Sequence, residues 1–151
     1  MKLIDVNYFK KSEFFEVAYK YWYNDNQHIR SPFPEYIQNP LKEIATEKFL
    51  NWLNNIHPDA ENEFNDEIIA EKFEEILFET ALSMVRTEDE RITILYPFLP
   101  RKGDKIKDDK SKDNIVSGRT IKKDKDNSYL NLKCENLETK SIWETSVLLP
   151  S

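Results

Sequence analysis

The feature that most constrains this chain is a change of hydrophobic period between residues 86 and 90. Before it, apolar residues recur at the three-and-four spacing of one helical face; after it, they alternate or gather in short β-branched runs. Helical periodicity followed by strand periodicity predicts an α+β fold, with three N-terminal helices followed by a C-terminal antiparallel sheet. A chain of 151 residues can bury one good core but not two generous ones, so one compact body in one or two lobes is expected.

The first helix is expected to start at a Ser12 cap, with Glu13 and Glu16 in its first turn and Phe15, Ala18, Tyr19 and Trp22 on one face. It ends near Asn24, and Pro32 and Pro34 mark NDNQHIRSPFPEY as a loop. In the second helix Asn39 is read as the cap and Pro40 as the first helical residue, ahead of the stripe Leu41, Ile44, Ala45, Phe49, Trp52, Leu53 and Ile56. His57-Pro58 stops it. The third takes Asn65 as cap and Asp66 and Glu67 as dipole-compensating acids, then Ile69, Phe73, Ile76, Leu77, Thr80, Ala81 and Met84 as its stripe.

From Arg91 onward RITILY, IVSGRTI, YLNLKC and SIWETSVLL read as strands, with the polar segments KDKDN and ENLET as hairpin connections. The charged run RTEDER separates a helical part, 1–88, from a β part, 89–151. Within the β part, residues 105–114 (KIKDDKSKDN) are low in complexity and read as a mobile loop. Short strands, a Gly-Asp turn and a Trp in the last strand fit either an open sheet or a small SH3-like barrel.

Several chemistries are excluded by composition. Gly103 and Gly118 are the only glycines, where ordinary usage of about 7% would give roughly ten, so neither a dinucleotide fingerprint nor a P-loop can be written. The single Cys134 precludes an internal disulfide and multi-cysteine metal sites, and suits the reducing cytoplasm. The opening MKLIDVNYFKK lacks a signal-peptide apolar region, and no run approaches a membrane span, so neither export nor membrane association is expected. Net charge is −6, but unevenly placed: −9 over residues 1–100, +4 over 101–126 and −1 over 127–151. An acidic chain gains no overall attraction to nucleic acid.

No catalytic group, cofactor site or metal site is expected. His28 and His57 lie in different connections with no partner at catalytic spacing, and His57 suits a helix-end cap. Asp59, Glu61 and Glu63 alternate as in a calcium loop, but Phe64 stands where the turn needs glycine and Ala70 where it needs a bidentate carboxylate. Cys134 shares a strand face with Leu130 and Leu132, which places it in the core rather than among activating cations.

Two constellations remain. Tyr19, Tyr21, Trp22, Tyr23, Phe33 and Tyr36 surround a proline-bearing loop with His28 and Arg30; either Tyr23, His28, Arg30, Phe33 and Tyr36 contact a protein partner, or the rings lid the helical core. Arg101, Lys102, Arg119, Lys122 and Lys123 lie near Tyr96, Phe98 and Tyr129, the combination that holds single strands, although interspersed aspartates dilute their charge. The expected function is therefore a non-enzymatic cytoplasmic binding or regulatory protein acting through protein contacts, as an adaptor, immunity-type inhibitor or defence-associated accessory protein does. The alternative is single-stranded RNA or DNA binding through the basic β part, and a hydrolase of unrecognised type comes third.

Overall fold

The structure is a computed structural model that describes residues 13–27, 29–56 and 64–150. The chain divides into two compact units, Met1–Arg86 and Thr87–Ser151, and it has the α+β composition that the two periods require.

Among the described residues the first unit holds three helices: α1 (Phe14–Tyr23), α2 (Glu35–Asn54) and α3 (Asp66–Met84). Asn65 caps α3, its Oδ1 accepting from the Ile68 amide at 2.9 Å, which satisfies one of the donors that a helix start leaves open. Ser12, His57 and Pro58, read above as helix caps and a stop, and the acidic residues Asp59, Glu61 and Glu63 lie outside the described residues.

Helix α2 begins earlier than the Asn39-Pro40 pair suggests. Pro34 is its N-cap, so Pro40 sits inside the helix. The ring there removes one bond, to the carbonyl four residues back, close to the helix start where few bonds are lost. Ile37 is buried in the added turn, an apolar gain that offsets the missing bond. At the other end, the Asn55 amide and its Nδ2 both donate to the Asn51 carbonyl.

The core of this unit is aromatic. Phe49 and Phe73 are fully buried, with centroids 5.2 Å apart and rings edge to face, and Phe14 stacks on Phe49 at 5.5 Å. Rings at these separations gain from quadrupole alignment as well as from burial. Leu41, Ala45, Leu53, Ile69, Leu77 and Ala81 complete the apolar stripes, while Trp52 is only half-buried and Ile44 is exposed.

In the second unit the expected strand RITILY is a helix, α4 (Glu88–Leu95). The deciding element is a reciprocal capping box: Thr87 Oγ1 accepts from the Glu90 amide at 3.1 Å, and Glu90 Oε1 accepts from the Thr87 amide at 3.0 Å. Together with Glu88 and Asp89 against the N-terminal dipole, this start outweighs the β-branched alternation of Ile92, Thr93 and Ile94.

Four strands follow: β1 (Lys105–Lys107), β2 (Asp113–Asp124), β3 (Asn127–Asn136) and β4 (Ile142–Leu148). They form an antiparallel meander in the order β1-β2-β3-β4. The sheet is open, so the SH3-like barrel is not formed. The expected loop 105–114 is instead a hairpin, because Lys105, Ile106 and Lys107 pair with Ile115, Asn114 and Asp113. Gly103, at φ 93, supplies the left-handed residue of the turn feeding β1, and its amide donates to the Val116 carbonyl at 2.8 Å.

One sheet face is the core of this unit. Val116, Leu130, Leu132 and Cys134 are buried there with Ile92 from α4 and Leu149, and Trp143 and Val147 pack against them. Cys134 sits on the face expected of it, and burial pushes its thiol above the usual range, away from the reactive thiolate.

Candidate functional site

Part of the expected aromatic surface packs into the helical unit. Phe33 is 4% exposed, packs edge to face on Tyr23 at 5.8 Å and lies 5.2 Å from Phe78. Tyr23 donates its hydroxyl to the Gln38 carbonyl at 2.8 Å, and burial beside Tyr19 raises its pKa strongly. Tyr36 remains on the surface, where the Arg86 guanidinium lies over its ring at 5.0 Å. Arg30 is exposed, and His28 lies outside the described residues.

The basic residues are not brought together either. Arg119 is buried: its Nε donates to Asp89 Oδ1 at 2.8 Å, and its Nη groups donate to the carbonyls of Pro100 and Asp89 and to Thr93 Oγ1. It ties α4 to β2 and points no charge outward. Arg101 is half-buried, donating from Nη2 to the Pro97 carbonyl at 3.1 Å. Lys102, Lys122 and Lys123 are exposed, but strand alternation sends Lys122 and Lys123 to opposite faces of β2.

A site does form at the end of the sheet where the β1–β2 and β3–β4 turns meet. There a cleft of about 690 Å³ is lined by Lys107, Lys110, Lys112, Asp108, Asp109 and Glu138, together with Asn136, Thr139, Ser141 and Trp143. Antiparallel pairing dictates this meeting, since the end of β1, the start of β2, the end of β3 and the start of β4 all fall on one side.

Each wall is held by a side chain bonded to its own turn. Asp108 Oδ1 accepts from the Lys110 and Lys112 amides, both at 3.0 Å, while Asn136 Oδ1 accepts from the Glu138 and Thr139 amides, both at 2.9 Å. A polar chain joins the first wall to the floor: Trp143 Nε1 donates to Asn114 Oδ1 at 2.8 Å, and Asn114 Nδ2 donates to Asp108 Oδ2 at 3.2 Å. Asn114 is fully buried, so both ends of its amide must be satisfied, and they are. These bonds brace the two turns and Trp143.

Those amide donors hold the Asp108 carboxyl below the usual aspartate range, the backbone N–H of Lys112 contributing most. A carboxylate of this kind stays ionised at neutral pH and is poorly matched to general acid or base work. Among the described residues no His, Cys or Tyr lines the cleft. What it offers is one ring, hydrogen-bonding groups, three ammonium groups and three carboxylates. Among the described residues no group of three or more His, Cys, Asp or Glu side chains is placed to hold a metal ion, and no helix is long and apolar enough to cross a membrane.

Sequence reasoning missed this cleft because its residues come from two hairpins. Asn136 carried a local signal in ENLET, an Asx residue opening a short polar turn; Asn114 and Trp143 carried none, being 29 residues apart. Comparison of the chain with family models, curated proteins and solved structures gives no significant match.

Proposed function

We propose that the protein is a non-enzymatic binding module that holds a polypeptide partner at the hairpin end of its sheet. The observation carrying this reading is the preformed cleft, with Trp143 as its floor and both walls fixed by turns closed through Asp108 and Asn136. A ring that can be covered, inside a charged and hydrogen-bonding rim, has the anatomy of an interface hot spot. Preorganised walls lower the ordering cost that association would otherwise carry.

The rim favours polypeptide over nucleic acid. Lys107, Lys110 and Lys112 are balanced by Asp108, Asp109 and Glu138, so a phosphate chain gains little net attraction, whereas a peptide of mixed charge meets complementary groups. Arg119, one of the five nucleic-acid-contact candidates in the sequence, is committed to Asp89. This reading puts the contact on the sheet rather than on the aromatic loop, and it is supported by the packing of Phe33 and Tyr23 within the helical unit. A single buried thiol suits a cytoplasmic setting.

Affinity capture from native lysate tests the reading. Lys110→Glu with Lys112→Glu should lose the partner, Lys122→Glu with Lys123→Glu should keep it, and nuclease should have no effect. The reverse pattern, with nuclease releasing the captured material, would replace this reading by single-strand binding.

A further inference from the structure

The two edges of the sheet are built differently. Strand β2, beyond the short cover of β1, carries a register shift between Val116 and Gly118 and then the charged run Lys122, Lys123, Asp124. Bulges and edge charges are the devices that keep exposed strands from pairing with other chains. Strand β4, the other edge, has no register shift and no run of charges. Its pairing with β3 is regular from Ile142 to Leu148, it contains no proline, and its one charged residue is Glu144.

The hydrogen-bond phase of β4 can be read from its ends. Ser141 accepts from the Asn136 amide at 2.8 Å and Leu149 donates to the Ser128 carbonyl at 2.9 Å, so odd-numbered residues face β3. The N–H and C=O groups of Ile142, Glu144, Ser146 and Leu148 therefore point away from the sheet, and no backbone bond joins them to another segment among the described residues. Ile142 and Leu148 also expose 59% and 60% of their surface.

We propose that β4 is a self-association edge, pairing antiparallel with β4 of a second copy about a two-fold axis at Thr145. This register sets Ile142 opposite the partner's Leu148 and Glu144 opposite the partner's Ser146. All eight outward backbone groups then find partners, and each exposed aliphatic side chain meets another. Centring on Glu144 would oppose two carboxylates, and centring on Ser146 would run Ile142 against the partner's Pro150, which has no N–H to give. Paired with a second copy, β4 thus favours one register. A two-fold contact of this kind uses the same patch on both copies and closes without forming a fibre.

Sedimentation of the full chain from about 1 µM to about 100 µM should show mass rising toward twice 18.0 kDa, as expected of a small interface with micromolar affinity. Ile142→Lys with Leu148→Lys opposes lysines across the axis and should leave monomer throughout this range. Ile142→Lys with Leu148→Glu opposes unlike charges and should restore the dimer. Both substituted positions are exposed, and hydrogen exchange on the unmodified chain gives a reading independent of variants: the amides of Glu144, Ser146 and Leu148 should slow at least about tenfold between dilute and concentrated samples. An unmodified chain that stays monomeric at about 100 µM, or a dimer that the lysine pair leaves intact, would overturn the proposal.

Discussion

Arg119 Nε lies 2.8 Å from Asp89 Oδ1, a pair in which the guanidinium side chain is wholly buried and the carboxylate side chain is 43% exposed. The asymmetry determines what each half is worth. Removing Asp89 leaves a buried cation without its counter-ion; removing Arg119 leaves a carboxylate that water can reach, together with the carbonyls of Pro100 and Asp89.

Asp89→Ala should therefore cost about 3 kcal/mol of stability in the β unit, and Arg119→Met roughly 1 to 2 kcal/mol. Urea melts followed by amide exchange in β3 measure both. The opposite order would show that the pair is held by the carboxylate rather than by the buried guanidinium.

The turn closed by Asp108 should be sensitive to acid. Its folded-state carboxyl titrates below the usual aspartate value, so what it adds is fully present above that value and is lost as pH falls through the lowered one. NMR titration should show the Lys110 and Lys112 amide resonances moving together with the Asp108 carboxyl, below the usual range. Movement centred at or above the usual value would contradict the bonding described.

Phe33→Ala should destabilise the helical unit by about 3 kcal/mol or more, the ordinary cost of removing a buried ring. Denaturant unfolding of the variant checks it. A loss below about 1 kcal/mol would return Phe33 to the surface and revive the aromatic loop as a contact.

Lys125 closes the β2–β3 hairpin at φ 55, a region that L residues other than Asn and Asp visit at some cost. Lys125→Asn should raise stability by about 0.5 kcal/mol, and Lys125→Gly should also relieve the strain, both without altering the sheet. An unchanged or lower unfolding midpoint for both variants would show the position to be unstrained.

How much of this was legible follows the range of each interaction. The Asn65 cap, the α2 and α3 stripes and the inward face of Leu130, Leu132 and Cys134 depend on residues a few positions apart, and the sequence shows them directly. The reading of RITILY as a strand went wrong within that same short range: Thr87 and Glu90 spelled a capping box, and the alternation of Ile92 and Ile94 concealed it. Pro40 misled because a proline suits a first turn, and only the structure reveals the turn beginning at Glu35. The cleft was illegible for another reason. Trp143 reaches Asn114 across two hairpins, and no local pattern encodes that meeting.

Site-specific photo-crosslinking tests the central claim most directly. A photoreactive residue replacing Glu138, on the rim of the cleft, is compared with one replacing Lys123, at the far end of β2, each in the full chain in native lysate. The expected result is a polypeptide adduct of defined mass from position 138 that survives nuclease, and none from position 123. Adducts confined to position 123 and abolished by nuclease, or none from position 138 under any condition that yields them elsewhere on the chain, would contradict a polypeptide-binding cleft.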